Sequence, residues 1–328
     1  MLIPPKYVLT TKISQLLSSI EASKEIIESI NIPAEIENNI RRQSSLHSSL
    51  FSARIEGNEL TINELQNSLS KTQKRAEVYN LLKAINYVKE KGKKDITLND
   101  LLTYHKIALE GLIDSQNLGK FRKNAEAIFN KAGIAVYMPP PPRLVESLTK
   151  KLLKFSNAQK EPLIPIRACL AHYVFERIHP FLDGSGRVGR LLLQKILIQE
   201  EYGMKGLLPL EEYLDNHRSE YYRALESPER DTTDYLEFML EAIAETARQV
   251  KEQVLKKQKV SITDYLLPRR AEIFNIIKDH TLADFETIRR RFLSVNERTL
   301  RYDLKKLQEA GLIKKRGTTK GAYYEALE

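Results

Sequence analysis

One cysteine and no tryptophan stand among the 328 residues, so an intramolecular disulfide is excluded. Cys169, set in the apolar run "IRACLAHYVF", reads as a core residue and not as a catalytic thiol. No apolar run approaches the roughly 18 residues that span a bilayer, and the opening "MLIPPKYVLT" lacks a basic stretch followed by an apolar one. A soluble, cytoplasmic chain with no membrane partner is the expectation. A G-x-x-x-x-G-K-[ST] run is missing too, which removes a P-loop NTPase. Internal repeats and low-complexity tracts are absent. Positive charge, by contrast, is plentiful: the net charge is +9, and from Pro268 to Glu328 there are 14 Lys and Arg against 9 Asp and Glu. The basic excess is concentrated at the C-terminus, where it suggests a polyanionic partner.

Helical spacing dominates. "ISQLLSSIEASKEIIESI", "RAEVYNLLKAINYVKE", "DLLTYHKIALEGL" and "LVESLTKKLLKF" all repeat apolar residues at i, i+3, i+4 and i+7, and a long helical pattern runs from Thr233 to about Lys259. The exception is "FNKAGIAVYMPPPPRL", where a β-prone stretch from Gly133 to Met138 meets four prolines, Pro139 to Pro142. It reads as a hairpin or flap with an exposed edge, or else as a plain loop. After the linker "KVSITDYLLP", three helices are expected in "PRRAEIFNIIKDH", "LADFETIRRRFL" and "SVNERTLRYDLKKLQEAG". Ser294 and Glu297 have the spacing of a capping box for the third, and Gly311 suits its end. Leu300, Leu304 and Leu307 form its apolar stripe, with Arg298, Arg301, Tyr302 and Lys305 opposite. Two β-prone runs around "GTTKG" complete a basic hairpin.

The run "GSGRVG", Gly184 to Gly189, has the G-x-G-x-x-G spacing of a dinucleotide-binding turn, which requires a preceding strand. The preceding residues, "IRACLAHYVFERIHPFLD", have a helix period, and "RLLLQKILIQEEYG" downstream is apolar nearly all round. A Rossmann turn is therefore excluded, but a glycine turn opening a buried helix is still an anion site, because the first N–H groups of a helix lack internal partners. Gly184, Ser185 and Gly186 can point donors at phosphate, and Arg187 and Arg190, at i and i+3, add guanidiniums. His179 and Asp183 stand just before this cradle. A histidine base and a carboxylate for Mg²⁺ beside phosphates fit phosphoryl or nucleotidyl transfer.

"HPFLDGSGRVGR" closely resembles the Fic family signature H-P-F-x-D-G-N-G-R-x-x-R, whose members most often transfer AMP from ATP to a protein hydroxyl. "SARIEGN" resembles the inhibitory motif [ST]-x-x-x-E-[GN], "VYMPPPP" the flap, and "LEEYLDNHRSEYYRAL" the nucleotide-side segment, so the likeness covers about Ser45 to Leu225. The three helices and hairpin at the C-terminus resemble a winged helix-turn-helix domain, which reads duplex DNA or serves only to dock a protein. The expected fold is mainly α: a Fic-type helical bundle with a short β-hairpin flap, plus a winged-helix domain. Residues 1–95 form an N-terminal helical region with the inhibitory helix, 96–230 the catalytic core, 231–262 a helical linker and 263–328 the winged helix.

The resemblance implies that His179 deprotonates the target hydroxyl, that Asp183 holds Mg²⁺, and that Gly184, Ser185, Gly186, Arg187 and Arg190 bind the phosphates of ATP, with Asn216 on the adenosine side. It also implies that Glu56 inhibits by pairing with Arg190. Ser52, four residues earlier on the same helical face, is expected to steady Glu56 by a hydrogen bond. Arg298, Arg301 and Lys305 are the expected DNA contacts. Ser185 departs from the usual Asn and has less reach. A different nucleotide, removal of AMP, or a nucleotide-sensing core in a DNA-binding regulator are the alternative readings. The target protein and any homo-oligomer stay open.

Overall fold

The computed structural model describes residues 1–30, 32, 34–67, 72–129, 135–158, 161–257, 266–280, 282–293, 295–317 and 322–327. In chain order the first elements are α1 (Thr11–Ser29), α2 (Ala34–Ile55), α3 (Ile62–Asn67), α4 (Gln73–Glu90) and α5 (Leu98–Ala108). The strands β1 (Ile128–Phe129) and β2 (Ala135–Tyr137) follow, then α6 (Pro142–Asn157), α7 (Ile164–Ile178), α8 (Ser185–Gln199), α9 (Leu210–Asn216), α10 (Arg218–Leu225) and α11 (Thr233–Lys257). The rest is α12 (Pro268–Asp279), β3 (Ala283–Asp284), α13 (Phe285–Arg291), α14 (Glu297–Glu309), β4 (Ile313–Arg316) and β5 (Tyr323–Ala326). The chain divides into two compact units, Met1–Asn31 with Glu37–Val254 and Ile32–Ile36 with Leu255–Glu328.

Helix starts in the first unit follow local chemistry. Thr10 caps α1, Thr72 caps α4, and Thr97 with Asp100 forms a reciprocal capping box on α5. Pro142 and Pro165 occupy the first turns of α6 and α7, where proline loses no hydrogen bond. The fourth proline of "PPPP" thus begins a helix and does not extend the flap. The centre is the pair α7 and α8, buried on nearly every side, with α4 and α5 against α8 and α6 against α7. Cys169 is fully buried among them, and burial pushes its thiol pKa up. No described helix is long and apolar enough to cross a membrane.

β1 and β2 pair antiparallel, Ile128 with Tyr137 and Phe129 with Ala135, so a hairpin forms at the β-prone stretch. Its turn, with Gly133, lies outside the described residues.

The second unit has its own core of Ile273, Phe274, Ile277, Ile288, Leu300, Leu304 and Leu307, closed by Ile313 and Tyr324. Its strands form an antiparallel sheet in the order β3-β5-β4. The apolar stripe on α14 is buried as its spacing requires. Two local expectations change. The segment beginning Leu282 does not start as a helix: Ala283 and Asp284 pair with Tyr324 and Tyr323, and the Asp284 side chain caps α13 by accepting the Thr287 N–H. On α14 the cap is Asn296, whose side chain accepts from the Arg298 N–H; Ser294 lies outside the described residues.

Candidate active site

The site is built on the loop joining α7 to α8. His179 ends α7 with φ 47° and ψ 65°, a left-handed conformation that is disfavoured for any residue with a Cβ. Gly184 then starts α8 at φ 85°, and a Cβ there would fall 2.7 Å from Leu109 Cδ2. Glycine is required on both counts. The first N–H of α8 bonded within the helix is Val188, to the Gly184 carbonyl at 3.0 Å. The N–H groups of Ser185, Gly186 and Arg187 therefore face outward along the positive end of the helix dipole.

Ser185 is turned inward. Its Oγ accepts the Phe181 N–H at 3.0 Å and lies 3.2 Å from the Phe181 carbonyl, so the hydroxyl closes the loop, and only the backbone N–H is left for a ligand. His105 supports the same loop, and sequence reasoning missed it. Its ring stacks on Phe181 at 4.0 Å, Nδ1 accepts the Gly119 N–H at 2.9 Å, and Nε2 must therefore carry the proton it donates to the Asp183 carbonyl at 3.0 Å.

The two arginines of the motif are both engaged by carboxylates. Arg187 Nη1 meets Glu77 Oε1 and its Nη2 meets Asp183 Oδ1, each at 2.5 Å. Arg190, with a side chain 2% exposed, donates to Glu56 Oε1 at 2.8 Å. Arg190 also donates from Nε to Ser52 Oγ and from Nη2 to the Ser52 carbonyl, both at 3.0 Å. Ser52 thus steadies the arginine; the hydrogen bond expected between Ser52 and Glu56 is replaced by this one, because the guanidinium lies between them and is the stronger donor. Burial works against an ionised Glu56, but Arg190 and Arg187 outweigh it and hold the carboxyl below its ordinary range.

The remaining glycines of "GSGRVG" are explained by packing. A Cβ on Gly186 would fall 2.5 Å from Glu56 Oε1, so the Glu56 carboxylate stands directly over the first turn of α8. A Cβ on Gly189 would fall 2.0 Å from Glu176 Oε1. Glu176 is largely shielded on α7 against Gly189 of α8; desolvation raises its pKa to about 8, against the pull of Arg190 and with help from Glu56. Its Oε1 and the Nδ1 atoms of His172 and His179 have no hydrogen-bond partner among the described residues. Burial also holds His179 below the ordinary histidine pKa, against the opposing pull of Glu56.

The C-terminal end of α2 is clamped where it presents Glu56. Gly57 leaves the helix at φ 100°. Tyr222 Oη donates to the Ile55 carbonyl at 3.2 Å, Arg218 donates to the Arg54 carbonyl, and buried Asp215 pairs with Arg54 at 3.0 Å and with Arg218. Asn58 Nδ2 donates to Glu77 Oε2 at 2.9 Å, tying the segment after Glu56 to the carboxylate on Arg187. Asn216 ends α9 exposed; its neighbour Asp215 makes the contacts.

In the second unit Arg298, Arg301 and Lys305 are exposed on α14, with the Arg301 guanidinium 3.9 Å from the Phe285 ring centroid. Asp303, on the buried side, is held by Arg269 at 2.5 Å and Arg270 at 2.9 Å. Those three cations are placed on one face, as their spacing required.

Residues 95–197 match the Fic/DOC family. The chain is 26% identical over 243 residues to proteins named protein adenylyltransferase Fic from Drosophila sechellia and Drosophila melanogaster, covering 70% of this chain and 47% of each relative. It thus spans about half the length of these curated relatives. A crystal structure of a Fic family protein from Desulfovibrio desulfuricans G20 matches 98% of both chains with a TM-score of 0.68 and 26% identity. Fic-1 from C. elegans shares the fold over 75% of this chain and 73% of its own, with a TM-score of 0.59 and 21% identity.

Proposed function

We propose that the chain is a protein adenylyltransferase that moves AMP from ATP to a hydroxyl of a target protein and of itself, and that Glu56 restrains it. The observation that carries this reading is the Glu56 carboxylate on Arg190, standing over Gly186 where the open N–H groups of α8 would receive phosphate. In the reaction His179 takes the proton of the incoming hydroxyl, whose oxygen attacks the α-phosphorus as the bond to pyrophosphate breaks. The α8 N–H groups, Arg187 and Arg190 neutralise the phosphates. A half-exposed Asp183 beside this cradle suits Mg²⁺, which takes one or two carboxylates together with substrate phosphates. Bound there, the ion would supply charge neutralisation. For Arg187 and Asp183 to serve nucleotide and metal, their mutual ion pair must open.

The test is mass spectrometry after incubation with ATP and Mg²⁺: a gain of one AMP is expected, and His179→Ala should reduce it by about 10² to 10⁴ while ATP still binds. Undiminished incorporation by that variant rules the mechanism out. A second reading concerns the second unit, which we propose is a winged helix that contacts duplex DNA through Arg298, Arg301 and Lys305. Its support is their exposure on one face of α14 above a separate core.

A further inference from the structure

Arg122 belongs to none of the sequence motifs, yet its side chain is completely buried. Its Nε donates to the His179 carbonyl at 2.8 Å, Nη2 donates to the Pro140 carbonyl and, at 3.4 Å, to that of Ile178, and Nη1 donates to the Asn124 carbonyl at 3.0 Å. Its own N–H meets the Pro180 carbonyl at 2.9 Å. One residue therefore holds three consecutive carbonyls, 178 to 180, around the end of α7. Its other arms reach both flanks of the β1–β2 hairpin, since Asn124 precedes β1 and Pro140 follows β2. The nearest carboxylate oxygen, Glu126 Oε2, is 3.7 Å away and has no hydrogen-bond partner among the described residues. Among the described residues, backbone carbonyls supply every hydrogen bond to this cation, and Glu126 adds only a longer ion pair.

The chemistry explains why an arginine is needed. Only a guanidinium offers five donors in a fixed fork; a lysine ammonium carries three on a flexible stem and cannot span these carbonyls together. His179 needs such a grip, because a left-handed residue with a Cβ persists only where its surroundings over-determine the backbone.

We propose that Arg122 is a positioning residue for the transfer reaction: it fixes the left-handed backbone of His179 and makes the place of that imidazole depend on the seating of the β1–β2 hairpin. The inference rests on the adenylyltransferase reading, in which His179 is the base. A general base must lie within hydrogen-bond reach of the proton it takes, and a displacement of about 1 Å costs about 10²-fold in rate.

The experiment uses the full chain carrying Glu56→Gly, with Arg122→Lys and Arg122→Gln added singly. AMP incorporation per unit time should fall about 100-fold at saturating ATP, while ATP affinity by calorimetry stays within about twofold. In hydrogen-exchange mass spectrometry, residues 178–181 and the strands 128–129 and 135–137 should exchange faster, with α8 unchanged. Arg122→Lys retains the charge and tests the fork alone. Full transfer by Arg122→Lys overturns the proposal, and so does a parallel fall in ATP affinity and transfer in both variants, which marks a merely structural residue. If the Glu56→Gly parent itself transfers no AMP, the adenylyltransferase reading fails, and exchange still decides on Arg122: unaltered exchange at 178–181 overturns it.

Discussion

Arg190 is a buried cation with two carboxyl groups about it, and each makes a separate prediction. Glu56 is ionised and neutralises it; with Glu56 in place an incoming phosphate meets both an occupied guanidinium and a like charge. At about 4 Å and an effective dielectric of about 20, each such pair costs roughly 4 kcal/mol, or on the order of a thousandfold in affinity. Glu56→Gly should therefore raise labelled AMP incorporated at fixed ATP and Mg²⁺ by severalfold to about a hundredfold, and Arg190→Ala should lose activity in either background. Equal incorporation by wild type and Glu56→Gly would show that this glutamate is no restraint. Glu176 is the second, with a pKa raised by desolvation from 4.5 to about 8 against the pull of Arg190. A carboxyl whose folded pKa is raised contributes its stability below pH 4.5 and loses it as pH climbs toward 8. Glu176→Gln removes that loss, so its Tm should match wild type near pH 4.5 and exceed it at pH 8 by roughly 5 °C or more. A pH-independent difference would mean that Glu176 is not protonated in the folded state. Neither Glu176 nor Arg122 was legible in the sequence. Their partners are groups on other segments, and nothing in the spacing "FERIHP" or "GKFRKN" marks a side chain as buried.

At the scale of elements, α2 is held at the end that matters. Its last carbonyls, which every helix leaves without internal partners, are met by the Arg218 guanidinium and the Tyr222 hydroxyl. Removing one of these hydrogen bonds should let the end of α2 fray and free Glu56 for part of the time. Tyr222→Phe and Arg218→Met are thus expected to raise AMP incorporation above wild type but below Glu56→Gly: Tyr222→Phe by about fivefold, since one neutral hydrogen bond is worth about 1 kcal/mol, and Arg218→Met by more, since it removes a charge-assisted bond and the ion pair with Asp215. No change over Glu56→Gly should be seen when either is added to it; an additive gain would mean that these residues act on the nucleotide and not on α2. The helices were largely legible because amphipathic spacing, capping threonines and early prolines agree along α1, α4, α5, α6 and α11. The loop signature and Glu56 were legible through the resemblance. β3 was not: two residues are too short to show alternation, and pairing with β5, some 40 positions later in the chain, decides the matter. Spacing misassigns the Ser52 hydrogen bond for a related reason, since it aligns Ser52 with Glu56 while the guanidinium that separates them comes from α8.

Across the whole molecule the charge is uneven. The stretch from Pro268 to Glu328 carries +5 of the net +9. Much of that charge is internally committed: Arg269 and Arg270 hold buried Asp303, and Arg316 pairs with Glu325. Arg298, Arg301 and Lys305 are different. Arg301 and Lys305 have only loose contacts with Glu297 and Glu309, at 3.7 and 3.8 Å, and their side chains are 59% and 72% exposed. Exposed pairs of this kind are worth about 0 to 1 kcal/mol, so a phosphate can displace the glutamates at little cost. If α14 lies along a DNA groove, the binding should be largely electrostatic, weakening as salt rises because each neutralised phosphate releases counterions. We expect the full chain to bind duplex DNA with a linear fall of log affinity against log salt. Reversal of Arg298, Arg301 and Lys305 to glutamate should flatten that slope by about 1 for each phosphate no longer neutralised, with sequence preference falling only where one of them reads a base edge. Arg298 and Lys305 lie outside the core that orders this unit, and Arg301 gives up only its cation–π contact with Phe285, so stability to thermal unfolding should shift by no more than about 0.5 to 1 kcal/mol. Fluorescence anisotropy across a salt series measures the slope, and circular dichroism checks the fold. A chain that binds no DNA at low salt, or a triple variant with an unaltered slope, would leave this face to a protein partner.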